Sequence, residues 1–261
     1  MVDEVAKLDL AREARTGIPE VVLAEGKRDV DLVSVTEAFV RAKGRVLVSR
    51  LTPERVHLLQ HLPHFAYDER ARLAVIGDTP HPRTGGRVLV LAAGTADVSV
   101  AEEARLVAHE LGCETRHHYD VGVAGIHRLF PALDDAPWAD VVIVCAGREG
   151  ALAPVVAGLV DRPVIGVPVS VGYGAGGAGE AALLSMLQSC SPVTVVNIDA
   201  GVVGGACAAQ IANRVASARN TDARFAATTS AEVAAAKTSI VSTGESEPLR
   251  TEVPVRGARR E

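Results

Sequence analysis

Residues 163–207, PVIGVPVSVGYGAGGAGEAALLSMLQSCSPVTVVNIDAGVVGGAC, constrain the fold of this chain more than any other stretch. An unbroken aliphatic run at 164–169 has the pattern of a parallel strand buried on both faces. It leads into Gly172-Tyr173-Gly174-Ala175-Gly176-Gly177-Ala178-Gly179. That loop has few side chains and many backbone N–H groups. A helix is expected at about 180–188, stopped by Ser189-Cys190-Ser191-Pro192, then a second apolar strand at 193–198. A small-residue turn and a helix at about 204–217 complete the unit. A strand–loop–helix–strand unit of this kind places backbone amides at a helix start, where anions bind.

The rest of the chain repeats the rhythm. Strands are expected at 88–92, 115–118 and 141–145, each followed by a small-residue turn and a helix. The sequence therefore predicts an α/β fold: a flavodoxin-like doubly wound parallel sheet, with its ligand at the carboxyl ends of the strands. Only 3% of residues are aromatic while 48% are hydrophobic, so the core has to be aliphatic, as such sheets require.

Before this sheet, alternating patterns predict a smaller α/β unit over 1–84. It has a charged helix at 1–16, a strand at 19–25, a helix at 31–43 and a strand at 45–50. A helix follows at 52–61, opened by Thr52-Pro53-Glu54, then one or two strands at 67–76. The stretch 79–86, TPHPRTGG, has the composition of a linker. The catalytic-size domain spans 85–217. Residues 218–261 are rich in Ala, Thr, Ser and Glu and are expected to be disordered, apart from a marginal helix at 231–237.

Net charge is −5 with no basic stripe, which argues against nucleic acid as a partner. No apolar run reaches the length of a membrane span, and the charged start of the chain is unlike a signal peptide. A cytoplasmic protein is expected. Four scattered cysteines, Cys113, Cys145, Cys190 and Cys207, form no CxxC pair, so a zinc site or disulfide framework is not expected.

Several turns carry candidate chemistry. Gly94-Thr95-Ala96-Asp97 can offer amides to a phosphate, with Asp97 a cap, a ribose ligand or a metal ligand. His127-Arg128 after a glycine turn can bind phosphate, or simply begin a surface helix. Glu149, beside Gly147 and Gly150, suits a helix start and also lies on the ligand edge. The glycine loop, with Gly172, Tyr173 and Gly174, favours ligand contact over a plain linker. Between the cysteines, local physics favours Cys207, expected near a helix N-terminus, over Cys190 at a helix C-terminus.

Read together, VLAAGTADVSVAEEA, DVGVAGIHRLF, VVIVCAGREGALAPVVAGLVDRPVIGVPVSVGYG, ALLSMLQSC and VVNIDAGVVGGACAAQI resemble the LarB family. These are nickel-pincer nucleotide biosynthesis proteins whose C-terminal half is similar to the PurE aminoimidazole ribotide carboxylase/mutase. PEVVLAEGK and VLVSRLTPERV resemble the family's leading segment. The resemblance spans about 17–215. It implies carboxylation of the pyridinium ring of nicotinic acid adenine dinucleotide at C5 and hydrolysis of its phosphoanhydride. The products would be pyridinium-3,5-biscarboxylic acid mononucleotide and AMP. Magnesium and carbon dioxide or bicarbonate are implied, with no organic cofactor. The resemblance makes Cys190 the nucleophile and Glu149 the acid–base residue. It places Gly94, Thr95, Asp97, His127, Arg128, Gly147, Gly172, Tyr173 and Gly174 around the substrate. It leaves the metal's ligands unspecified. The sequence departs from the family pattern at Ala96, Gln188 and Ala200, and Ala96 removes a hydroxyl from the first ligand turn. Two other functions fit the same fold: a PurE-like carboxylase or mutase of a purine ribotide, and a nucleotide-binding protein without chemistry.

One geometric expectation follows. The glycine loop lies after its strand, whereas Cys190 lies before the next one, so the two belong at opposite sheet edges, about 15 Å apart along the helix. A homo-oligomer with active sites shared between subunits is expected.

Overall fold

The computed structural model describes residues 7–77 and 81–243. The chain divides into two units, Met1–Ser217 and Ala218–Glu261. The first unit begins with α1 (Arg12–Thr16), β1 (Val21–Leu23), α2 (Asp29–Lys43), β2 (Arg45–Ser49), β3 (Ala66–Asp68) and β4 (Leu73–Gly77). These strands form a four-stranded sheet in the order β1-β2-β4-β3, in which only β1 and β2 are parallel.

A second sheet contains β5 (Arg87–Ala92), β6 (Glu114–His118), β7 (Val141–Ala146), β8 (Val164–Pro168) and β9 (Val193–Val195). Its order is β6-β5-β7-β8-β9, and every pair is parallel. Counted within this sheet, the order is 2-1-3-4-5, the flavodoxin-like arrangement. The helices that cover it are α3 (Val98–Glu110), α4 (Leu129–Leu133), α5 (Leu152–Ala157), α6 (Glu180–Leu187) and α7 (Gly201–Thr243).

The aliphatic strands fill two cores. Val88, Val90, Ala92, Ile143, Cys145, Ile165 and Val167 face α3 and α7. Leu89, Leu91, Val142 and Val144 face α4, α5 and α6. The two sheets also share a core. Strand β2 alternates strictly: Val46 and Val48 face α2 in the small sheet's own cluster. Arg45, Leu47 and Ser49 point the other way, toward α3. Arg45 pairs with Glu110, Leu47 joins the core beneath α3, and Ser49 donates to Glu103 at 2.6 Å. The sequence divided the chain near residue 84. The structure has two sheets there, with β2 and β4 packed into the larger core, and residues 78–80 of the expected linker lie outside the described residues.

Other differences have local causes. The N-terminal helix is shorter than expected, since α1 covers only Arg12–Thr16 and ends at left-handed Gly17; residues 1–6 lie outside the described residues. The helix expected at 52–61 is a 3-10 helix over Pro53–Leu58. Helix α7 starts at Gly201 rather than 204, because its glycines are packing contacts and not a turn. A Cβ at Gly205 would lie 2.3 Å from the Ala104 oxygen of α3. One at Gly201 would lie 2.5 Å from Glu103 Oε2. Helix α7 continues to Thr243, so residues 218–243 are helical where disorder was expected; the expected disorder of 244–261 lies outside the described residues. Among the described residues no helix is long and apolar enough to cross a membrane.

Candidate functional site

All five strands of the large sheet end on one edge, and the loops there are tied together. In this strand order the crevice opens between β5 and β7. Asp97 spans it. Its Oδ2 accepts from the Gly94 amide at 2.8 Å, and its Oδ1 accepts from the Gly147 amide at 2.9 Å, fifty residues away. Burial pushes its carboxyl above the ordinary aspartate value. The two amide bonds oppose that rise, and the charges of Asp199 and Glu149 add to it. Asp97 thus caps its own turn and ties it to the loop after β7, and the Gly94 amide is occupied by this carboxylate. Thr95 is exposed on the same turn. Gly147 has to be glycine, since a Cβ there would lie 2.5 Å from the Val171 oxygen.

The glycine loop leaves β8 and is anchored at its start, where Ser170 donates its amide to Asp199 Oδ1 at 2.8 Å. Beyond it, Val171 to Ala175 are exposed, and their amides make no hydrogen bond among the described residues. Gly172 and Gly174 thus present backbone donors. Tyr173, 80% exposed, stacks under the Arg148 guanidinium at 4.2 Å, which joins this loop to the one after β7. Glu149 is exposed on that second loop, close enough for its charge to reach Asp97. His127 is exposed, and Arg128 is ion-paired with Asp120 across the loop after β6. The Arg128 guanidinium packs over Gly125, where a Cβ would lie 2.8 Å from Nε.

The strain pattern marks the same edge. Among the described residues, seven non-glycine residues have positive φ. Asp120, Arg148, Ala178 and Asp199 lie in these loops, and Arg50 and Arg72 line the adjoining cleft. Left-handed conformations of this kind cost on the order of 1 kcal/mol each and gather at functional sites.

The cysteines separate clearly. Burial pushes the Cys113 thiol up to about 12 and the Cys145 thiol higher still, so neither is a thiolate source. Cys207 lies in the second turn of α7, half-buried against the core. That placement removes the N-terminal dipole advantage expected for it. Cys190 is exposed in the turn between α6 and β9. Its neighbours close the turn, with Ser189 Oγ donating to the Ser191 oxygen. Since β8 and β9 are parallel, this turn lies at the amino edge, opposite the ligand loops. One subunit does not bring Cys190 to Glu149.

Among the described residues, no three His, Cys, Asp or Glu side chains are placed to hold a metal ion. Sequence reasoning also missed Asp199, Arg148, Arg50, Arg72 and Glu103. Asp199 was legible as an acid after a strand; the arginines carried no local signal.

Two family models match the chain: the LarB/PurE-like N-terminal domain over residues 2–78 and AIR carboxylase over 87–238. An uncharacterized protein of Methanocaldococcus jannaschii is 41% identical over 223 residues, covering 81% of this chain and 85% of that protein. The N5-carboxyaminoimidazole ribonucleotide mutase of the same organism is 34% identical over 119 residues, 44% of this chain and 71% of its own length. A probable N5-carboxyaminoimidazole ribonucleotide mutase of Methanothermobacter thermautotrophicus is 34% identical over 131 residues, 48% of this chain and 37% of its length.

Proposed function

The chain belongs to the LarB family, with a LarB/PurE-like N-terminal domain joined to an AIR carboxylase domain, and on that premise we propose that it carboxylates the pyridinium ring of nicotinic acid adenine dinucleotide at C5 and hydrolyses the phosphoanhydride. The products are pyridinium-3,5-biscarboxylic acid mononucleotide and AMP. The observation that carries this reading is the tandem arrangement of the two domains, since the mutase relatives match less than half of the chain.

The chemistry requires a nucleophile, because C5 of an electron-poor pyridinium cannot attack carbon dioxide. The Cys190 thiolate adds to C4, forming a C–S bond and a neutral dihydropyridine. The ring nitrogen's lone pair then drives C5 onto carbon dioxide, forming the C–C bond and an iminium. Glu149 removes the C5 proton, which restores the enamine. Expulsion of the thiolate from C4 regenerates the aromatic pyridinium. Covalent catalysis of this kind divides one inaccessible step into several accessible ones. Water then cleaves the phosphoanhydride. His127 and Arg128 bind phosphate, and the free amides at Gly172 and Gly174 receive the ligand beside Tyr173.

Cys190 and the ligand loops occupy opposite edges of the sheet, and β8 alone spans about 15 Å. The active site is therefore shared: Cys190 of one subunit faces the nucleotide held by the loops of another. The exposed leucines beside it, Leu184 and Leu187, each more than half exposed, give α6 an apolar face for that contact.

The test is incubation of the protein with magnesium, bicarbonate and each candidate nucleotide, read by mass spectrometry. A carboxylated pyridinium mononucleotide with AMP supports the reading. The second reading, favoured by the mutase relatives, is interconversion of carboxylated aminoimidazole ribotides, and turnover of those instead would replace the first.

A further inference from the structure

Beside the ligand loops lies a cleft of about 210 Å³ with walls from both sheets. Glu25, Arg50 and Arg72 come from the small sheet, Ser99 from the first turn of α3, and Ser170 and Asp199 from the loops of the large sheet. Most of its charges are engaged. Arg50 donates through Nη1 to Glu25 at 2.6 Å and through Nη2 to the Asp199 oxygen at 2.9 Å. Asp199 in turn holds the Ser170 amide. Glu103, at the back, accepts from Ser49 and from the Val202 amide at 3.3 Å.

Arg72 is the exception. It is half-buried, and its side chain makes no hydrogen bond or ion pair among the described residues. Its charge is felt by Glu25, Glu54 and Glu103 without direct contact. The backbone beneath it is fixed: Leu51 donates to the Arg72 oxygen at 2.8 Å, and Asp68 accepts the Ala71 amide at 2.8 Å. The residue is held in a left-handed conformation, φ 51°, which costs energy and orders the turn. A half-buried guanidinium on a fixed turn, without an acceptor among the described residues, suits an anionic oxygen pair.

We propose that Arg72 binds the diphosphate of the dinucleotide, so that the small sheet selects a dinucleotide over a mononucleotide. Arg50 is a positioning residue: it holds the Asp199 backbone, and Asp199 holds the start of the glycine loop. The assignment to a dinucleotide rests on the function proposed above, whereas recognition of a diphosphate at this cleft does not.

The experiment is calorimetric titration of the full chain with nicotinic acid adenine dinucleotide, ADP-ribose and AMP, for wild type, Arg72→Ala and Arg72→Lys. Thermal melting of each variant checks the fold. Arg72→Ala is expected to weaken the dinucleotide and ADP-ribose by about ten- to a hundredfold. Arg72→Lys should restore part of the loss, and AMP binding should not change. Equal binding of ADP-ribose by wild type and Arg72→Ala overturns the proposal, as does equal weakening of AMP. If wild type yields carboxylated product while Arg72→Ala binds normally, this inference alone fails. If ADP-ribose binding depends on Arg72 but no carboxylated product forms, the function fails and the diphosphate subsite stands.

Discussion

The two edges of the large sheet are built from the same strands and differ in almost every other respect. At the carboxyl edge the loops are strained, cross-linked by the carboxylates of Asp97 and Asp199 and rich in unbonded amides. At the amino edge the turn holding Cys190 is closed by its own serines and flanked by exposed leucines. One edge is preorganised to hold a ligand; the other offers a reactive side chain beside an apolar surface. Preorganisation requires long-range hydrogen bonds, and a nucleophile requires only access. A single subunit separates these two properties by the length of a strand.

The largest effect tests that separation. Cys190→Ser should lower carboxylation by about a thousandfold or more, while Cys207→Ser leaves it nearly intact, measured as product by mass spectrometry. Mixing Cys190→Ser with Glu149→Gln subunits should restore activity. Mixed oligomers that form and stay inactive would remove the case for a shared site, and an inactive Cys207→Ser beside an active Cys190→Ser would move the nucleophile into α7.

Next is Glu149→Gln, which keeps the shape of the carboxyl-edge loop and removes the base. A fall in kcat of about 10²–10⁴ with KM unchanged is expected. Full turnover by the amide would take proton transfer away from this loop.

His127→Ala and Arg128→Ala should raise KM without lowering Tm, by the equivalent of about 1.5–3 kcal/mol for a charge-assisted contact. Arg128→Ala also releases Asp120 from its pair. Wild-type KM in both variants would make the pair structural.

The smallest effect concerns Glu103, behind the edge. Burial raises its carboxyl above the ordinary glutamate value, against the Ser49 bond and the Arg50 charge. The folded protein therefore holds this proton to higher pH than the unfolded chain. The associated stability is fully present below the unfolded value, 4.5, and is lost as pH rises through the folded one. Glu103→Gln should flatten that part of the stability–pH curve, measured by denaturant unfolding from pH 4 upward. An unchanged slope would show that Glu103 does not titrate there.

Much of this was legible from local pattern. Unbroken aliphatic runs followed by small-residue turns specified the parallel sheet, because strands buried on both faces leave no polar alternation. The same rule put the glycine loop, Glu149 and the His127-Arg128 pair on one edge and Cys190 on the other. Partnership across the fold was not legible. Which amide Asp97 would hold depends on β5 lying beside β7, and strand order is not a local property. The glycines that open α7 read as a turn, and only the closeness of α3 shows them to be helix contacts. Arg50 and Arg72 look like ordinary surface cations in the sequence. The packing of the small sheet onto α3, through Leu47 and Ser49, brings them to the ligand edge, because residue type and spacing determine which face a side chain takes, whereas the neighbour it meets is decided by how the sheets pack.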